Sequence, residues 1–164
     1  MASSKITNIV LAGIGGQGVL KASDILSEAI FQAGYDIKKS EIHGMSQRGG
    51  SVTSDIRYGD KVFSPMVPVG EADFLLILNE TQVDNNKHML KPGGVMIAPD
   101  AIDMNLLKNK RSFNVALLGL LSTYLDIDEA IWQQAITTCL PEKVVDVNRE
   151  AFALGRQTAA NPGR

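Results

Sequence analysis

Apolar side chains fall along this chain in two rhythms, short unbroken runs and longer stretches spaced at three and four, and their alternation predicts strands followed by helices. Ile6 to Ala12 is a short apolar run centred on Ile9, Val10 and Leu11 and broken by glycines, which predicts a buried first strand. Val19, Ala22, Ile25, Leu26, Ala29, Ile30 and Ala33 recur at helical spacing over residues 17–33, and Gly34 supplies the stop. Tyr35 to Glu41 returns as a second strand. Ser51 to Arg57 alternates Val52 and Ile56 with polar neighbours, and Gly59-Asp60 stands before Lys61-Val62-Phe63, so an antiparallel hairpin exposed on one face is expected there. Ser64 to Gly70, with Pro65 and Pro68, suits an extended connection whose apolar side chains need cover.

Phe74 to Leu78 predicts a buried strand, Glu80 to Leu90 a helix, Lys91-Pro92-Gly93-Gly94 a turn and Val95 to Ala98 another strand. The remainder is helical, over Ser112 to Leu125, Asp128 to Cys139 and Asp146 to Thr158, with Asp126 and Glu129 as the expected cap pair of the middle helix. The run Val115 to Leu121 is apolar on all sides, which predicts a helix covered by the core or by another subunit.

At 164 residues the chain fits one domain, residues 1–164, with Asn161 to Arg164 as a loose end. Sixteen basic against eighteen acidic residues provide no cationic field for a phosphate backbone, so no nucleic-acid partner is expected. A polar start and the lack of any long apolar span predict neither a signal peptide nor a membrane segment. The lone cysteine, Cys139, excludes an intrachain disulfide and a cysteine-ligated cluster built from this chain alone, and it suits a cytoplasmic location.

Gly13-Ile14-Gly15-Gly16-Gln17-Gly18 has the G-x-G-x-x-G spacing between a strand and a helix. The missing Cβ atoms let a ligand or a neighbouring strand approach, and free N–H groups at the helix start favour an anion. Three uses stay open for this turn: a dinucleotide, another anionic ligand, or close packing. The dinucleotide use wants an acid at the end of the second strand, where Glu41 is the candidate. The expected fold is thus α/β: a Rossmann-like open sheet, mostly parallel with an antiparallel hairpin, helices on both faces and a helical C-terminal third.

A second cluster follows at Ser46, Gln47, Arg48, Gly49 and Gly50. A guanidinium flanked by glycines offers a fixed fork to a phosphate, a substrate carboxylate or a partner's acid, or it closes an internal salt bridge. The candidate binding residues are therefore Gly13, Gly15, Gly16, Gln17, Gly18, Ser46, Gln47, Arg48, Gly49 and Gly50, with no catalytic or metal-binding residue assigned. His43 beside Glu41 could carry a proton, although a loop hydrogen bond is the plainer use, and His88 sits on a solvated helix. Asn79-Glu80 follows a strand end, where either a site or a helix cap fits.

Gly-Ile-Gly-Gly-Gln-Gly-Val-Leu at 13–20, Glu-Ile-His-Gly-Met-Ser-Gln-Arg-Gly-Gly-Ser-Val at 41–52 and Ser-Pro-Met-Val-Pro-Val-Gly-Glu-Ala-Asp at 64–73 occur in an order and at separations that resemble the gamma subunit or domain of 2-oxoacid (pyruvate/ketoisovalerate):ferredoxin oxidoreductases, in particular the beta subunit of the indolepyruvate enzymes. The resemblance implies a complex that oxidatively decarboxylates a 2-oxoacid, such as an aryl pyruvate, to acyl-CoA and reduces ferredoxin. It implies that thiamine diphosphate, Mg and iron–sulfur clusters reside in a large partner subunit, that ferredoxin is met through the complex, and that coenzyme A meets a shared site. Alone, the chain would be inactive, shaping the coenzyme or substrate entrance and the subunit interface. A stand-alone Rossmann-like dinucleotide oxidoreductase or sensor, and a purely structural adaptor, are the alternatives.

Overall fold

The computed structural model describes residues 5–43 and 50–160. The expected tail at 161–164 lies outside them. A five-stranded sheet in the order β2-β3-β1-β4-β5 organises the rest. Its strands are β1 (Thr7–Ile14), β2 (Asp36–His43), β3 (Ser51–Gly59), β4 (Ala72–Ile77) and β5 (Leu90–Ile97). β1 pairs parallel with β4 and β4 with β5, while β3 runs antiparallel to both β1 and β2. Four strands therefore point one way and β3 alone is reversed.

β1 sits between β3 and β4 and is covered on both faces, which is why its sequence is a continuous apolar run and not an alternating one. The glycine turn then leads into α1 (Val19–Gln32), whose stripe of Val19, Ala22, Ile25, Leu26, Ala29 and Ile30 is buried. Gly34, at φ +93°, ends it, with its N–H donating to the Phe31 carbonyl at 3.0 Å. α1 lies against β2 and β3 and against α4 (Glu129–Cys139).

Two expectations about β3 change. Its hairpin partner is β2, with His43 opposite Val52 and Ile37 opposite Tyr58, and not residues 61–63. Lys61 to Phe63 form no strand; the Val62 N–H donates to Asp36 Oδ2 at 2.8 Å and the Val62 side chain is buried. The alternation along β3 also does not mark a solvent face, because both faces of the sheet are covered there and the polar groups that β3 buries are matched. Ser54 shares a hydrogen bond with Ser23, Oγ to Oγ at 2.6 Å, and Asp55 Oδ2 accepts the Val67 N–H at 3.0 Å. Burial raises the Asp55 carboxyl above the usual range, and the Val67 bond opposes that shift.

Between β4 and β5 the expected single helix is a broken run, a 3₁₀ turn at Glu80–Gln82, α2 (Val83–Asn86) and a second 3₁₀ turn at Lys87–Met89. The Lys91–Gly94 turn is absorbed into β5 as an irregularity: Ala72 pairs with Leu90 but Phe74 with Val95, with Gly93 at φ +78°. Together with residues 64–70 this run covers one face of the sheet, where Val10, Val67, Ala72, Leu75 and Ile77 cluster. The long helices α1, α3 (Phe113–Ser122), α4 and α5 (Glu142–Ala160) contribute to the larger cluster on the other face. α5 begins earlier than its apolar spacing suggested, directly after Pro141, whose fixed φ suits a helix start. Asp128 and not Asp126 occupies the N-cap of α4, and it makes no side-chain cap bond.

Every residue of α3 is buried, as its unbroken apolar run requires. The covering helix is α5, which crosses it through a pair of glycines. A Cβ at Gly119 would collide with the Phe152 carbonyl oxygen, and one at Gly155 with the Ala116 carbonyl oxygen. Alanine gains about 1 kcal/mol over glycine in an open helix, so the sign of Gly155→Ala distinguishes propensity from packing. We expect a net loss of about 1–3 kcal/mol from overpacking, read from the urea midpoint. An unchanged or higher midpoint would show that the helices can move apart at little cost.

Candidate functional site

The carboxyl ends of β1, β2 and β4 and the start of β3 meet at one edge of the sheet. His43 faces Val52 there, Gly13 faces Val52 from the other side, and the Gly15 N–H donates to the Gly50 carbonyl at 2.9 Å. This bond ties the glycine turn to Gly50, the last residue of the second predicted cluster. Ser46, Gln47, Arg48 and Gly49 lie outside the described residues. The residues that flank them, His43 and Gly50, both belong to this edge.

Three of the four glycines in the turn have different surroundings. A Cβ on Gly13 would come within 2.7 Å of Val19 Cγ2 and 3.2 Å of Leu78 Cβ, so its absence lets β1, α1 and the end of β4 close together. Gly18 is the N-cap of α1 at φ +81°, and a Cβ there would run into the Asn114 side chain. Asn114 Nδ2 donates to the Gly18 carbonyl at 3.0 Å, pinning the turn to α3. Gly16, at φ +89°, has open space around it. Gln17 braces the turn from within: its Oε1 accepts the Ile14 N–H at 3.0 Å and its Nε2 donates to the Leu78 carbonyl at 3.4 Å.

What remains available is the start of α1. Its first turn carries no acidic side chain and no side-chain cap, so several N–H groups and the positive end of the helix dipole stay uncompensated. They face a cavity of about 630 Å³ lined by Gly16, Gln17, Gly18, Leu78, Lys110 and Arg111, among others. Lys110 and Arg111 sit on a 3₁₀ turn ahead of α3 held by Asn109, whose Oδ1 accepts the Arg111 N–H at 3.0 Å and whose carbonyl accepts the Ser112 hydroxyl at 2.6 Å. No ion pair engages either cation among the described residues. Sequence reasoning missed this pair. The signal was present in the basic cluster Lys108, Lys110 and Arg111 just before the apolar helix.

The dinucleotide use loses its acid. Glu41 pairs with Ser54 on β3, and Ser54 with Leu11 on β1, so the reversed strand separates Glu41 from the glycine turn by an extra spacing of about 4.8 Å. Glu41 is engaged instead by Lys39, Nζ to Oε1 at 3.1 Å. Asn79 caps the turn after β4, its Oδ1 accepting the Thr81 N–H at 3.0 Å. His43 is exposed at the strand end, His88 is exposed on the 3₁₀ turn before β5, and Cys139 is half-buried at the end of α4 with its thiol pushed up by burial.

The family model described as pyruvate ferredoxin/flavodoxin oxidoreductase matches residues 8–158. The chain is 32% identical over 192 residues to the indolepyruvate oxidoreductase subunit IorB of Thermococcus kodakarensis, covering 93% of this chain and 95% of that one. The gamma subunit of a keto/oxoacid ferredoxin oxidoreductase from Geobacter sulfurreducens superposes with a TM-score of 0.79 at 26% identity, covering 94% of this chain and 98% of that chain. A 2-oxoglutarate:ferredoxin oxidoreductase from Magnetococcus marinus, solved with 2-oxoglutarate, coenzyme A and succinyl-CoA bound, shares the fold at a TM-score of 0.80 and 22% identity; the likeness covers 96% of this chain and 32% of that one.

Left-handed backbone costs a non-glycine residue about 1–2 kcal/mol, and Gly18→Ala adds a collision with Asn114 that Gly16→Ala does not. Thermal denaturation should therefore show a clearly larger drop for Gly18→Ala than for Gly16→Ala. Equal drops would mean that Asn114 is not the clamp on this turn.

Proposed function

The chain belongs to the pyruvate ferredoxin/flavodoxin oxidoreductase family, and we propose that it serves as the gamma-type subunit of a 2-oxoacid:ferredoxin oxidoreductase acting on indolepyruvate or another aryl pyruvate. The observation that carries this reading is the alignment with IorB, which runs through nearly the whole of both chains. The complex would oxidatively decarboxylate the 2-oxoacid to its acyl-CoA and deliver the electrons to ferredoxin in the cytoplasm. Thiamine diphosphate with Mg and the iron–sulfur clusters belong, on this reading, to a large partner subunit. Cluster ligation takes several thiolates, and this chain has only Cys139.

The contribution of this subunit is electrostatic and geometric. Coenzyme A brings phosphates, and the cavity beside the glycine turn suits them. Lys110 and Arg111 supply charge, the uncapped start of α1 supplies N–H donors, and Gly16 leaves room for close approach. Coenzyme A is bound in the Magnetococcus marinus enzyme, 32% of which is matched by this chain. To Ser46, Gln47, Arg48, Gly49 and Gly50 we assign the adjoining contact with ligand or partner, since His43 and Gly50 lie at the same edge.

Anaerobic affinity purification of the chain from its native host, followed by mass spectrometry, tests the assignment. We expect a thiamine-diphosphate and iron–sulfur chain to come with it, the complex to reduce ferredoxin with indolepyruvate and coenzyme A, and the isolated chain to be inactive. Recovery of the chain alone, with a tightly bound dinucleotide, would contradict it.

A further inference from the structure

The edge of the sheet opposite the glycine turn holds a second cavity, of about 520 Å³, at the amino ends of β1 and β4. Tyr35, Tyr58 and Tyr124 all line it, and they are the three tyrosines of the whole sequence; Phe74 joins them. They arrive from four places: after the stop of α1, on β3, after α3, and on β4. Register explains the convergence. Tyr58 is opposite Thr7 on β1, Phe74 is level with Ile9 on the far side of β1, and both rings project to the face covered by α1 and α3.

The rings form two corners. Tyr35 and Tyr58 meet edge to face, with centroids 5.2 Å apart and planes at 64°; Phe74 and Tyr124 stand 5.7 Å apart at 51°. β3 and β4 flank β1, so the corners are about 10 Å apart across two strand spacings. Tyr124 is half-exposed although packed on Phe74, which is unlike a ring that merely fills a core. Burial pushes the Tyr58 phenol up to about 12.

The charged lining is Lys5, Lys91, Asp60, Asp73 and Asp126. Lys91 is ion-paired with Asp73, which also accepts the Asn8 N–H at 2.8 Å. Asp60 and Asp126 are left against Lys5, a net formal charge of −1 beside four aromatic rings. Ring faces attract cations through their quadrupoles, and carboxylates at the rim add to that attraction. We propose that this cavity binds an organic cation, an alkylammonium or guanidinium group, presented by a small molecule or by a lysine or arginine side chain of the partner subunit. Only the second source rests on the subunit reading.

Because every tyrosine lines the cavity, the full chain labelled with 3-fluorotyrosine reports it in three ¹⁹F resonances. Choline and agmatine are the probes, and 3,3-dimethylbutan-1-ol, the uncharged isostere of choline, is the control. Saturable shifts of the resonances with at least one cation, absent with the alcohol, are expected. Tyr124→Leu should weaken the affinity about tenfold and Asp126→Asn about threefold; both alter exposed residues, so an unchanged melting temperature verifies the fold. No saturable shift with either cation, or an equal response to the alcohol, overturns the proposal. Repetition in the assembled complex separates the sources: resonances already displaced and deaf to added cation identify a partner side chain, whereas an undiminished response identifies a small molecule. Failure to find a complex leaves the titration of the isolated chain decisive.

Discussion

The antiparallel pairing of β3, along its full length, with β1 on one side and β2 on the other is the constraint from which both ends of this molecule follow. At its start, β3 delivers Gly50 to the Gly15 N–H and so joins the two glycine-bearing segments at one edge. At its end it places Tyr58 opposite Thr7, forming the floor of the aromatic cavity. On the thinner face its polar side chains hold the covering segment to the sheet: Asp55 takes the Val67 N–H, and Arg57 bridges β1 and that segment, donating from Nε to Asn8 Oδ1 at 2.9 Å and from Nη1 to the Ser64 carbonyl at 3.0 Å. By standing between β1 and β2 it also removes the geometry on which dinucleotide recognition depends. One reversed strand thus decides what the glycine fingerprint is for.

The fingerprint itself divides into packing and access. Gly13 and Gly18 are required by neighbours that a Cβ would strike, and Gln17 is spent on bracing the end of β1 against the end of β4. Gly16 and the uncapped start of α1 face open space. A G-x-G-x-x-G pattern on such a sheet is therefore mostly a device for docking a helix close to two strands. Its capacity for an anion comes from the helix start together with Lys110 and Arg111, which approach from a different part of the chain.

Much of the fold was legible because it depends on short-range periodicity. The runs of β1 and β4, the stripe of α1, the stop at Gly34 and the all-round burial of α3 each follow from residues within one element. The hairpin partner of β3 was not, since Gly59-Asp60 is a good local turn signal and only the competition between Lys61–Phe63 and two longer strands decides the outcome. The cap of α4 shifted from Asp126 to Asp128 for a similar reason, because Asp, as a residue type, caps equally well at either position. The order of the three family motifs revealed the family, while the position of Lys110 and Arg111 beside the glycine turn and the meeting of the three tyrosines depend on long-range register that no local pattern encodes.

Hydrogen–deuterium exchange on the assembled oxidoreductase, with and without coenzyme A, would locate directly the surface this subunit presents to the coenzyme. Slowed exchange confined to the glycine turn with the first turn of α1, the residues around Lys110 and Arg111, and the segment between β2 and β3 is the predicted result. Protection found only in the partner chain, with these segments unchanged, would contradict the coenzyme-entrance role.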